Sequence, residues 1–211
     1  DLVVVDPDHY RQQPLPAWDG TQFYAYASVT EVQPSRTYYA DIPVGWKIGR
    51  NPAWGSDLID QSAPGWPEFF ATRVIAPLWA QGYRGFFLDT LDSYRLAERF
   101  DEQAQQQGLV QLIRGLHQRF PGIRLMLNRG FAILPRVASQ NDYALAESIL
   151  TNTDISTGQF ALLSRNEFDQ AAAQLHHVVV FAPHLQLLTL DYWNQEDAIG
   201  LERIYAAQRA E

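Results

Sequence analysis

The 211-residue chain contains no cysteine, which excludes a disulfide framework, a zinc–thiolate site and a cysteine nucleophile. No uninterrupted apolar run approaches ~20 residues, so nothing in the sequence reads as a membrane-spanning helix. No signal peptide is visible. No glycine-rich phosphate-binding turn follows the first apolar run, which argues against a dinucleotide fold. Lysine is almost missing too: Lys47 stands alone against 15 arginines, a bias that nothing in the sequence explains. Positive charge is in deficit overall. The net charge of −8 disfavours nucleic acid and anionic membrane surfaces, and it suits cationic partners.

What remains is an ordinary globular composition, 46% apolar and 19% charged, enough to bury one core within a single domain spanning residues 1–211. Short apolar runs recur, and most stop on a polar residue. Residues 2–5 stop at Asp6, residues 23–27 lead through Ser28 to Glu31, and residues 85–88 stop at Asp89. Residues 123–127 stop at Asn128, residues 143–146 at Glu147, and residues 187–190 at Asp191. A seventh run, 178–181, ends at Ala182-Pro183-His184. Near-continuous Val, Leu, Ile and Phe runs mark strands covered on both faces.

Helical stretches separate them. Leu109, Leu112, Ile113, Leu116 and Phe120 form one apolar stripe, stopped by Pro121-Gly122. Ser164 and Glu167 form a capping box that opens a helix to about Leu175. Asn194 is placed to cap a closing helix through Ile199 and Ile204. Residues 66–81 read as a helix kinked by Pro77. Such alternation predicts an α/β fold, a (β/α)8 TIM-type barrel whose first strand is missing or lies upstream of residue 1. The segment 32–64, rich in Pro, Gly, Trp and Tyr, reads as one long functional loop.

In such barrels the active site lies at the C-terminal ends of the strands. That rule gathers Asp6, Asp89, Asn128, Glu147 and Asp191 at one mouth, with Asp8, His9, Glu31 and Asp92 from the following loops. Clustered carboxylates serve two chemistries: a pair of acids hydrolyses a glycosidic bond, or acids with a histidine hold a divalent metal. Asp6, Asp8 and His9 are the one credible metal cluster. The aromatic residues Trp18, Trp46, Trp54, Trp66, Tyr94, Phe131, Tyr192 and Trp193 all fall outside the apolar runs, and such rings stack on the C–H faces of sugars. Bland readings stand beside these: Asp92 as a helix cap, Glu31 as a loop-ordering acceptor, and Asp191 as a charge at a helix N-terminus. Asp89 and Glu147 each end a buried strand directly, where a charge is costly unless the site uses it.

The segment Gly82-Tyr83-Arg84-Gly85-Phe86-Phe87-Leu88-Asp89-Thr90-Leu91-Asp92-Ser93-Tyr94 resembles the strand-4 signature of glycoside hydrolase families 114 and 166. Supporting matches are Val4-Val5-Asp6-Pro7-Asp8-His9, Tyr26-Ala27-Ser28-Val29-Thr30-Glu31, Arg36 with Tyr38, Pro52-Ala53-Trp54, Asn128-Arg129-Gly130 and Glu147. Two positions depart from the pattern: Thr30 replaces a glycine and Arg84 an aspartate. The resemblance implies an endo-acting hydrolase of α-1,4-linked galactosamine and N-acetylgalactosamine polymers. Asp89 would be its nucleophile and Glu147 its acid/base, with retention of configuration and no cofactor or metal. Asp6, Asp8, His9, Tyr26, Glu31, Trp54, Asp92, Tyr94, Asn128, Asp191 and Tyr192 would line the substrate site. A partly deacetylated polymer is cationic and would be drawn to an acidic groove. The resemblance further implies a domain excised from a larger exported protein, placed in the periplasm or secreted, beside components of a polysaccharide secretion complex. The readings left beside it are a non-catalytic glycan-binding barrel and a metal-dependent hydrolase centred on Asp6, Asp8 and His9.

Overall fold

The computed structural model describes residues 1–10, 19–154 and 157–210. Along the chain run β1 (Leu2–Val5), β2 (Gln22–Ser28), β3 (Glu31–Val32), β4 (Lys47–Asn51), β5 (Ser56–Ile59), α1 (Trp66–Phe69), α2 (Ala76–Ala80), β6 (Gly85–Asp89), α3 (Glu102–Arg119), β7 (Arg124–Asn128), α4 (Leu134–Val137), β8 (Tyr143–Glu147), β9 (Thr151–Asp154), β10 (Gln159–Leu162), α5 (Arg165–Phe181), β11 (Gln186–Leu190) and α6 (Ala198–Ala210). Strands β1, β2, β6, β7, β8 and β11 pair in that order in one parallel sheet. Each is laid beside its predecessor, whereas a doubly wound sheet reverses direction at a switch point. The winding is that of a TIM-type barrel, and the sheet curls into half of one.

Two sequence expectations are corrected. Residues 178–181, expected to be a strand, form the last turn of α5. Ser164 does open that helix with a capping box: its side chain accepts from the Glu167 backbone, and Glu167 reaches back to the Ser164 N–H at 2.8 Å. The helix simply continues past the β-branched run. The segment 32–64 is no loop: β3, β5 and β4 form an antiparallel sheet, and Val32, Ile42, Leu58 and Ile59 are buried.

Smaller differences have local causes. Residues 66–80 are helical throughout, but a wider π-type turn over Phe70–Ile75 separates α1 from α2, placing Pro77 in the first turn of α2 where its missing N–H is harmless. The closing helix starts at Ala198, with the Asp197 carboxylate accepting from the Gly200 N–H at 2.9 Å. Asn194 instead turns back on the Glu196 N–H.

Strand periodicity then decides what faces where. One face of the sheet, with Ala25, Ala27, Phe86, Leu88, Leu125, Leu127 and Ala144, joins the main core under the helices. The other face carries a smaller cluster of Tyr24, Phe87, Met126 and Leu145. Two residues beyond each of these, on that same face, stand Tyr26, Asp89, Asn128 and Glu147. Three adjacent strands therefore end by pointing a polar side chain into one mouth.

Candidate active site

A cleft of about 740 Å³ opens at the C-terminal ends of the strands, lined among others by Asp6, His9, Tyr26, Glu31, Trp54, Asp92, Tyr192 and the three strand-end residues. At its centre the Asn128 amide nitrogen donates to Asp89 Oδ1 at 2.8 Å and to Glu147 Oε2 at 2.6 Å. Because one nitrogen serves both, those two oxygens lie no more than 5.4 Å apart, the sum of the two bonds. The remaining oxygens are also held: Tyr26 donates to Asp89 Oδ2 at 2.8 Å, and Tyr192 to Glu147 Oε1 at 2.7 Å. Acceptors on both sides fix the Asn128 amide with its nitrogen toward the acids.

Burial pushes the Asp89 carboxyl above its ordinary value. The bonds from Asn128 and Tyr26 pull the other way, and the neighbouring Glu147 charge adds to the push. Burial likewise raises the phenols of Tyr26 and Tyr192, reinforced by the carboxylate each one touches, so both stay protonated as donors.

The backbone just past these residues is unusual. Thr90, Arg129 and Ser148 follow Asp89, Asn128 and Glu147 directly, and all three are left-handed, with φ of 64°, 59° and 58°. Non-glycine residues adopt that conformation at a cost, and such positions concentrate at functional sites. Thr90 is held there by its hydroxyl, which bonds Ser28 Oγ at 2.9 Å and accepts from the Thr30 N–H at 3.0 Å. Thr30 returns a bond from its own hydroxyl to the Thr90 carbonyl. The threonine that departs from the family pattern thus ties β2 to β6, and it needs no positive φ to do so.

The other expected residues divide. Glu31 sits in the cleft wall, 5% exposed, where it accepts from Asn51 at 3.1 Å and from Ser56. Asp92 is no side-chain cap of the short helix after it; it pairs with Arg129 at 2.9 Å. Asp6 and Asp8 both bind Arg36, at 2.9 and 2.8 Å. Burial would raise Asp6, but the bonds from Arg36 and the Asp8 N–H outweigh it and hold the carboxyl below its usual value. With a guanidinium seated between them, these two acids are occupied by a cation already, which removes the basis for the metal reading. His9 lies at the rim, 3.6 Å from Asp6.

Two expected site residues are elsewhere. Asp191 faces away, accepting from the Leu150 and Thr151 N–H groups and from Gln208, so it anchors β9 and α6 to the end of β11. It is not a helix N-terminal charge. Tyr94 is buried against Phe100 and lies outside the cleft, in the wall of a neighbouring hollow. The broad aromatic shelf also shrinks. Trp46 and Trp66 pack with Phe69 in the core, and Trp193 bonds Asp197 and leans on Phe160. Trp18 lies outside the described residues. Tyr26, Trp54 and Tyr192 are the aromatics among the described residues that line the cleft. Sequence reasoning gave no role to Arg36, Asn51, Ser56 or Thr90; residues 47–51 and 56–59 lack a period-two pattern that would have marked the strands carrying the middle pair.

A pair of acids within bonding reach of one amide, at the strand ends of a TIM-type half-barrel, is an arrangement suited to glycoside hydrolysis. The chain belongs to glycoside-hydrolase family GH114, whose model matches residues 1–210. It is similar to the glycoside hydrolase domain of PelA from Pseudomonas aeruginosa, with 29% identity and a TM-score of 0.81 over all of this chain and 83% of that one. Aspergillus fumigatus Ega3, solved in complex with galactosamine, shares the fold at 15% identity and TM-score 0.61, over 82% of this chain and 61% of that one. An uncharacterized protein of Deinococcus radiodurans is 32% identical over 113 residues, covering 45% of this chain and about a third (34%) of that relative's length.

Proposed function

We propose that this domain is an endo-acting hydrolase of α-1,4-linked galactosamine-rich polysaccharide that works with retention of configuration. The observation that carries the mechanism is the Asn128 bridge, which keeps one oxygen of Asp89 and one of Glu147 within 5.4 Å of each other. Retaining enzymes hold their carboxyls ~5–5.5 Å apart, whereas inverting ones leave ~6.5–9.5 Å for a water. The substrate class follows the relatives, Ega3 having been solved with galactosamine. The cleft carboxylates of Glu31, Asp89 and Glu147, none of them paired with a cation among the described residues, and the net charge of −8 suit a polymer bearing free amines.

In this reading Asp89, held by neutral donors from Asn128, Tyr26 and the Thr90 backbone that favour its ionised form, attacks the anomeric carbon. Glu147, whose outer oxygen faces the half-exposed Tyr192, gives its proton to the departing glycosidic oxygen. The C1–O bond breaks as the Asp89 ester forms. A water then attacks C1, Glu147 takes the water's proton, and the ester bond breaks to free Asp89. Glu147 thus serves as acid in the first step and as base in the second. We extend the reading to location: an exported domain, periplasmic or secreted, working beside a polysaccharide secretion complex.

Incubation with purified galactosamine-rich polymer tests it. Shortened chains should appear, Asp89→Asn should abolish them, and Glu147→Gln should slow them ~10²–10⁴-fold. Polymer bound by the wild type without cutting would favour a glycan-guiding barrel instead. Full loss of activity on chelation, restored by a divalent ion, would revive metal chemistry.

A further inference from the structure

A second hollow of about 440 Å³ adjoins the cleft, and the two share Asp92 and Arg129 as a common wall. Its volume falls within the range of small-ligand pockets. Its character differs from the cleft's. Leu91, Phe131 and Ile133 give it an apolar lining, and Ala173, Gln174 and His177 of α5 contribute to its wall as well. Its charges are Arg95, Arg129 and Asp92. Asp92 is neutralised by Arg129, and Arg95 reaches away to Glu102. The Arg129 ion pair uses Nε, and among the described residues no hydrogen bond engages its terminal nitrogens.

We propose that this hollow is a sugar subsite that selects an N-acetylated unit, next to a cleft that takes free-amine units. The inference rests on the reading of the cleft as acting on galactosamine polymers. An ammonium gains nothing in a hollow whose one carboxylate is already paired and whose other charges are guanidinium. An acetamido group suits it: the methyl has Phe131 and Ile133 to pack on, and the carbonyl has the spare N–H groups of Arg129 and the amide of Gln174 as donors. Burying one apolar group in such a pocket discriminates ~10-fold or more. The enzyme therefore reads the acetylation pattern of its polymer and cuts at a fixed distance from an acetylated unit.

The test is sequencing, by mass spectrometry, of products from a partially N-acetylated α-1,4-galactosamine polymer. One position at a constant distance from the cut should be enriched ~10-fold in N-acetylated units. Ala173→Trp and Gln174→Trp fill the hollow from the exposed side of α5 and should each flatten that enrichment. Equal acetylation at every position in wild-type products, or enrichment unchanged in both variants, would overturn this inference and leave the hydrolase reading intact. Failure of the wild type to cut the polymer would overturn both.

Discussion

At the scale of single residues, the site is governed by who donates to Asp89 and Glu147. Asp89 must be ionised to attack, and its carboxyl is raised by burial against the pull of Asn128 and Tyr26. The acid limb of the kcat/KM profile should therefore lie above the ordinary aspartate value of 3.8. Tyr26→Phe removes a bond that favours the ionised form, so it should move that limb to still higher pH; a limb moving lower would contradict the assignment. The same burial has a stability consequence. A carboxyl raised in the folded state stabilises the fold most below the unfolded value, and that contribution is lost as pH rises through the folded value. Asp89→Asn should thus melt higher than wild type at pH 7, with the gain shrinking toward pH 4 in paired thermal scans. Loss of activity joined to a gain in stability is what a functional buried acid predicts and a structural one does not.

Elements explain which parts of this were legible in the chain. The strand-end acids could be read because a buried parallel strand shows up as an apolar run, and the polar residue that breaks it marks the barrel mouth. The run 178–181 misleads for the same reason: Val178-Val179-Val180-Phe181 has strand composition, yet Val179, Val180 and Phe181 are exposed on the last turn of α5. Local propensity gave way to a helix already nucleated at Ser164. Asp191 ends a strand like the others, but its neighbours in space, Thr151 and Gln208, come from elements no pattern places beside it. Gly108 carries the matching lesson for packing. In a helix interior, alanine ordinarily stabilises by ~1 kcal/mol, but a Cβ at Gly108 would lie 1.8 Å from the Gln61 carbonyl oxygen. Gln105 of the same helix accepts from the Gln61 N–H at 2.8 Å. Gly108→Ala should therefore destabilise by about 3 kcal/mol in urea unfolding, loosening the segment that carries Glu31 and Trp54. Ser164→Ala should cost about 1 kcal/mol.

For the whole molecule, the balance of charge and winding sets the function. Six strands added in sequence order put every strand end on one side, so one cleft collects residues from positions 6 to 192. Its acid excess should steer a polycation. Raising ionic strength should lower kcat/KM on the galactosamine polymer by ~10-fold or more, and much less on a short neutral oligomer; equal sensitivity of the two would separate the charge from substrate capture. The bridge of Asn128 between two acids remains the centre of the account, and the stereochemistry of cleavage reads it most directly. Proton NMR of the first sugar end released from the α-linked polymer, recorded before mutarotation, should show the α anomer. A β anomer formed first would mean that a water, not Asp89, attacks the sugar, and would contradict a pair held this close.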